Sequence, residues 1–238
     1  MKKWVLAGCA LAFAFGAVAA EAAVLVVRSS GPSSKAFPAG KAVAENQVIT
    51  LKSNDVIVLL DSRGTRTLRG PGKFSATASA SASTTSSLAA LTGQNTNRRS
   101  RVGAVRRPPS GATSGRNVWQ ADVTRSGNIC IANPADLGLY RANPAAAERV
   151  TVTDIGTGKS AAVQFSEGQK IASWPSAVPV AAGGRYTIKG GGEGATVTAR
   201  WISPVPGGLE GLAQSFIRND CQAQLDVLID TFASPTAS

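Results

Sequence analysis

A segment that cannot build a hydrophobic core divides this chain in two. Residues 75–87 are all Ser, Thr or Ala, and beyond a short apolar patch at 88–91 come Arg98-Arg99-Ser100-Arg101 and Arg106-Arg107-Pro108-Pro109. No apolar period of 2 or 3.6 runs through residues 75–117. Ordering them costs more conformational entropy than their burial returns, so they are expected to form a disordered, basic, low-complexity linker. Whatever folds must do so in the shorter region before this segment and the longer one after it.

The two flanks carry different patterns. Residues 24–28, 47–51, 56–60 and 66–69 are β-rich runs separated by Ser30-Gly31-Pro32, Ser53-Asn54-Asp55 and Ser62-Arg63-Gly64, which predicts a small all-β module over residues 23–74. Beyond the linker, runs at 118–123, 128–131, 137–141, 150–153, 161–165, 170–174, 186–188 and 195–202 recur at the spacing of a β-sandwich. Leu209, Leu212, Ala213, Phe216 and Ile217 then fall on one helical stripe, and Leu225, Leu228, Ile229 and Phe232 on another. The fold class is therefore mainly β: an N-terminal β-module, a disordered linker, and a sandwich-like domain over 118–238 ending in two helices.

Lys2 and Lys3 precede an unbroken apolar run from Trp4 to Ala20, with small residues around positions 17–22. That is the layout of an export signal, and residues 1–22 are expected to be removed as a signal peptide. Two other readings stay open. An uncleaved anchor is one, because residues 22–27 prolong the apolar character; a lipoprotein is the other, because Leu6-Ala7-Gly8-Cys9 fits a lipobox. No later stretch is long and apolar enough to span a bilayer, so no transmembrane segment is expected after cleavage. The expected location is periplasmic or secreted.

Export determines the role of the cysteines. Cys9 leaves with the signal, and Cys130 and Cys221 remain to form one disulfide in an oxidising compartment. Cys221 precedes Leu225 by one helical turn and shares its apolar face, so the bridge is expected to pin the last helix onto the strand carrying Cys130.

The phrase Leu59-Leu60-Asp61-Ser62-Arg63-Gly64-Thr65-Arg66-Thr67-Leu68-Arg69-Gly70-Pro71-Gly72, preceded by Ala39-Gly40 and residues 49–58, resembles the periplasmic β-module of FecR-type proteins. The resemblance covers about fifty residues and rests on turn spacing. FecR proteins sense a periplasmic state and relay it through a membrane segment to a cytoplasmic sigma factor. Nothing here resembles their cytoplasmic region, so the resemblance implies a periplasmic interaction element and not the sigma-factor relay. Trp119, Asp122, Val123, Arg125, Ser126, Gly127 and Cys130, with the later Trp174-Pro175, Pro179-Val180, Gly183-Gly184 and Tyr186, are similar to exported α-proteobacterial proteins and imply architecture and location alone.

The chain contains no histidine. This excludes Ser-His-Asp and Cys-His catalysis, histidine-ligated metals and a histidine pH switch. Gly156-Thr157-Gly158-Lys159-Ser160 ends like a phosphate loop, but Thr153 stands where its first glycine belongs, and the segment joins two strands: a hairpin turn. Gly190-Gly191-Gly192-Glu193-Gly194 is likewise a connection between strands. Asp55 and Asp61 flank one strand and read as turn residues rather than a hydrolytic pair. Trp119, Trp174 and Trp201 read as core or edge rather than a sugar-binding face. No cofactor and no metal site is expected.

The formal charge is +11; without Lys2 and Lys3 it is +9, from 23 basic and 14 acidic residues. Between Ser62 and Ala121 lie ten Arg or Lys and no Asp or Glu, so the excess is confined to this segment. Arg98, Arg99, Arg101, Arg106 and Arg107 are its dense part and the candidate contact with an envelope protein or with anionic lipid or polysaccharide. The alternative is a solvated linker that its charge keeps extended. Export argues against nucleic acid as partner. The function expected is a non-enzymatic, exported envelope-binding or signalling-accessory protein. A carboxylate-dependent hydrolase of cell-wall polymer or glycan and a structural spacer are the alternatives.

Overall fold

The computed structural model describes residues 23–77, 91–92, 116–190, 192 and 194–233. The N-terminal unit comprises β1 (Ala23–Ser30), β2 (Ala42–Ala44), β3 (Val48–Leu51), β4 (Val56–Asp61), β5 (Gly64–Arg69) and β6 (Gly72–Ser75). An antiparallel sheet in the order β2-β1-β4-β5 faces the two-stranded β3-β6 ladder. Val24, Val26, Val43, Ile57, Leu59 and Leu68 pack against Ile49, Leu51 and Phe74. The opposite face of the larger sheet is apolar as well: Leu25, Val27, Val58 and Leu60 are all buried. A bulge between Val26 and Arg28 sets Val27 and Arg28 together on that side.

The C-terminal unit comprises β7 (Gln120–Asp122), β8 (Gly127–Ile131), β9 (Gly138–Tyr140), β10 (Glu148–Asp154), β11 (Ser160–Phe165), β12 (Ile171–Ser173), β13 (Arg185–Lys189) and β14 (Ala195–Trp201). Five strands in the order β11-β10-β13-β14-β8 face three in the order β12-β9-β7. Alternation puts Val150, Val152, Tyr186, Ile188, Val197 and Ala199 inside with Leu139, Phe165 and Trp174. Trp174 meets Tyr186 edge-on at 5.3 Å, and its indole N–H donates to the Val178 carbonyl at 2.7 Å. Arg141 is almost fully buried at 3% exposure, yet none of its charge is stranded. Its guanidinium donates to the carbonyls of Gln169, Ala146 and Ser166 at 2.7–2.8 Å, stands over Phe165 and reaches Glu148, tying two loops to the end of β9.

Helices α1 (Gly208–Arg218) and α2 (Gln222–Thr231) form a hairpin between the two β-units. Leu209, Leu212, Ala213 and Phe216 of α1 belong to one cluster with Leu25, Val27, Val58 and Leu60 of the N-terminal sheet. Leu225 and Leu228 of α2 belong to it with Val118, Trp119 and Cys130 of the C-terminal unit. The two β-units thus share a core, which the helices supply.

Most of the expected linker, residues 78–90 and 93–115, lies outside the described residues; the parts of it that are described pack against the folded units. β6 runs to Ser75, Ala76 is buried, and Leu91 enters the helical cluster with its carbonyl accepting the Val118 N–H at 3.1 Å. Trp119 stands edge-on to Phe216 at 6.1 Å and donates its indole N–H to the Thr92 carbonyl at 2.9 Å. The apolar patch at 88–91 ends on a residue that the core needs. β2 and β6 are additions to the expected strands: β2 is only three residues long, and β6 lies between a Gly-Pro-Gly turn and the Ser/Thr/Ala run.

Candidate functional site

Arg98, Arg99, Arg101, Arg106 and Arg107 lie outside the described residues, as does the expected signal at 1–22. The other five cations of the acid-free segment are placed. Arg63 pairs with Asp61 at 3.1 Å. Arg66 donates to the Ser75 and Ala76 carbonyls at 2.7 and 2.6 Å, holding the chain where it leaves β6. Burial lowers the basicity of that guanidinium, partly offset by Asp61. Arg116 pairs with Asp122 at 3.3 Å and stacks over Tyr140 at 4.3 Å. Arg69 and Lys73 are exposed and carry no ion pair among the described residues. Three of the five thus hold structure, and two face solvent.

Asp55, Asp61 and Asp154 are tied into the backbone, and Asp55 does not converge with Asp61. Asp55 and Asp61 sit at opposite ends of β4. Asp61 accepts the Arg63 amide at 2.7 Å, an Asx turn. Asp55 is buried and accepts the amides of Ser33 at 2.8 Å and Lys52 at 2.5 Å. Burial pushes its carboxyl up, but the hydrogen bonds from Ser33 and Lys52 outweigh that and hold it below the ordinary range. Asp154 is lowered too, by the Thr157 hydroxyl and the Gly156 amide in the β10–β11 turn, so the segment ending in Gly158-Lys159-Ser160 closes a hairpin. Glu210 moves the other way: burial raises it, with Asp61 and Glu45 adding to the effect. Among the described residues no group of three Cys, Asp or Glu is placed to hold a metal ion, and no helix is long and apolar enough to cross a membrane.

The Asp55 shift has a definite sign. A carboxyl with a lower pKa folded than unfolded contributes stability in full above the unfolded value, about 3.9. That contribution is lost as pH falls through the folded value. Asp55→Asn is therefore expected to lower the urea midpoint at pH 7 and to differ progressively less from wild type as pH falls below about 4. A gap that stays constant from pH 7 to pH 2.5 would contradict the assignment.

The densest set of specific contacts lies where α2 meets both β-units. Cys130 and Cys221 form a disulfide, with Cα atoms 5.8 Å apart and both residues buried, joining β8 to the start of α2. Gln224, 2% exposed, accepts the Cys130 amide at 2.5 Å and donates to the carbonyls of Val118 at 2.5 Å and Cys130 at 2.7 Å. Asp226 pairs with Arg125 at 2.7 Å and with Arg28 of β1, so one carboxylate bridges both units. Beyond α2 the Phe232 carbonyl accepts the Thr65 amide at 2.8 Å, and the Thr65 hydroxyl donates to the Ile229 carbonyl at 3.0 Å. Gly64 makes room for this contact: at φ +134°, a Cβ there would stand 2.7 Å from the Phe232 oxygen.

Gln224 is the residue that sequence reasoning passed over. It lies three positions after Cys221 and beside Leu225, on the apolar side of the stripe, and a polar side chain there signals a buried partner. Trp119 and Trp174 point into cores and Trp201 packs against one, as the core-or-edge reading holds. No protein-family model, no curated protein and no solved structure matches this chain.

Proposed function

We propose that this chain is an exported protein of the cell envelope that acts by binding, as an envelope-associated or signalling-accessory component in the periplasm or outside the cell. The observation that carries the reading is the segregation of charge. Ten cations and no acid fall between Ser62 and Ala121, and the remainder of the expected mature chain is nearly neutral. A confined cationic segment meets an anionic surface without making the whole protein adhesive. Each Arg near such a surface contributes about 1 kcal/mol, reduced by salt. Arg69 and Lys73, of the same acid-free segment, face solvent. The FecR-like module is read as an interaction element, and the employment of Asp55 and Asp61 in turns supports binding over carboxylate chemistry. The partner is an envelope protein, or anionic lipid or polysaccharide.

Changing Arg98, Arg99, Arg101, Arg106 and Arg107 together to Gln is expected to shift the full chain from the envelope to the soluble fraction at low salt. Wild type should show the same shift on raising salt. Unchanged fractionation would leave the segment a spacer, and hydrolytic turnover abolished by changing one carboxylate would overturn the binding reading.

A further inference from the structure

α2 covers β8 at one edge of the five-stranded sheet, and the outer face of the other four strands is open. Alternation along β10, β11, β13 and β14 sends Thr151, Thr153, Ser160, Thr187, Thr196 and Thr198 away from the core, while their neighbours pack inward. The register assembles these positions into rows. Thr153 lies opposite Ser160 on one side and Thr187 on the other, and Thr187 lies opposite Thr196. Four hydroxyl residues thus cross four adjacent strands in one line, and the Thr153 and Ser160 hydroxyls are 3.1 Å apart. Thr151 and Thr198 stand one row to either side, opposite Lys189 and Arg185.

Cations close both ends of this hydroxyl field. Arg149 and Lys189 lie toward one end, Arg185 and Arg200 toward the other, and all four are exposed. None of the four carries an ion pair among the described residues. Lys189 and Arg185 are four residues apart on one strand, about 13 Å at the rise of an extended chain. No outward position in the described strands of this face is an Asp or Glu, although the chain has fourteen acids.

We propose that this face binds an anionic polysaccharide, its acidic groups held by the two cation pairs and its hydroxyls by the threonine rows. Charge complementarity fixes the sign of the ligand. The hydroxyl field fixes its class: a sugar chain offers donors and acceptors along its whole length, and a flat sheet presents partners at the strand spacing. The described strands of this face carry no outward aromatic residue on which a nucleic-acid base can stack, and the exposed apolar side chain at its margin, Ile155 beside Arg185 just after β10, is a single residue and no apolar patch to enter a lipid layer. The site is distinct from the arginine segment and deepens the envelope-binding reading, resting on it for where such a glycan is met.

Titration of the full chain with polygalacturonate, and with its neutral methyl ester, tests the proposal. Binding to the acid form, weakening with salt and at least tenfold tighter than to the ester, is expected. The combined variant Arg149→Gln, Arg185→Gln, Lys189→Gln, Arg200→Gln should lose tenfold or more, with its thermal midpoint unchanged. Thr153→Val with Thr187→Val, which alters no charge, should lose several-fold. The variant lacking the five linker arginines should retain the binding. Loss with the linker variant but not with the sheet variant would overturn the proposal while leaving the envelope-binding reading standing. Equal binding to the ester, no binding to polygalacturonate, or tighter binding to phosphatidylglycerol vesicles or single-stranded DNA would each overturn it too.

Discussion

Replacing Cys130 and Cys221 together by alanine is expected to lower the stability of the chain by about 2–5 kcal/mol, and reductant should do the same to wild type. The bridge spans 91 residues. Closing a loop of that length restricts the unfolded chain by about 4–5 kcal/mol in the chain-entropy account, before any native-state contribution is subtracted. Its position adds to the argument. Cys221 opens α2, and Cys130 lies on β8, the sheet-edge strand that α2 covers. Without the bridge, the helical hairpin is held to the C-terminal unit by side-chain packing, Gln224, the Arg125–Asp226 ion pair and Asn128, whose amide donates to the Asn219 carbonyl at 2.9 Å. Urea melts of oxidised wild type, reduced wild type and the double alanine variant measure the effect. One cooperative transition at a lower midpoint is expected, because the hairpin shares its core with both β-units. A shift below about 0.5 kcal/mol would remove the bridge from the stability argument.

The shared core explains which parts of this fold were legible beforehand and which were not. Strands that alternate, such as Thr151-Val152-Thr153 and Thr196-Val197-Thr198, declare one wet face and one dry one, and they form where expected. β4 does not alternate: Val56-Ile57-Val58-Leu59-Leu60 is apolar throughout, as is Val24-Leu25-Val26-Val27 in β1. Such runs announce a sheet covered on both sides. What they cannot name is the cover, because the helices that supply it follow about 150 residues later and any amphipathic stripe meets an apolar face equally well. The candidate surfaces divide in the same way. The arginine segment is a property of composition and is visible directly. The hydroxyl rows depend on which strands are neighbours: local turns set the β10–β11 and β13–β14 registers, but the β10–β13 pairing that joins them is a long-range outcome.

Gln224→Met is expected to cost about 3–5 kcal/mol, an effect comparable to losing the disulfide although no covalent bond changes. Methionine matches glutamine in length and is more apolar, so burial alone favours the variant by about 1–2 kcal/mol. Against that stand three backbone groups that the glutamine amide satisfies: the Cys130 N–H, the Cys130 carbonyl and the Val118 carbonyl. Each, left buried without a partner, costs about 1–3 kcal/mol, and methionine can satisfy none of them. The balance falls clearly on the side of destabilisation. Gln224→Glu separates hydrogen bonding from volume. A carboxylate still accepts from the Cys130 amide, but it turns a negative charge toward two carbonyls and donates to neither. Protonation restores one donor, so that variant should recover part of its loss on acidification from pH 7 to pH 5, whereas the methionine variant should not. Urea midpoints at both pH values decide the matter: a methionine variant as stable as wild type would show that Gln224 fills space and holds nothing.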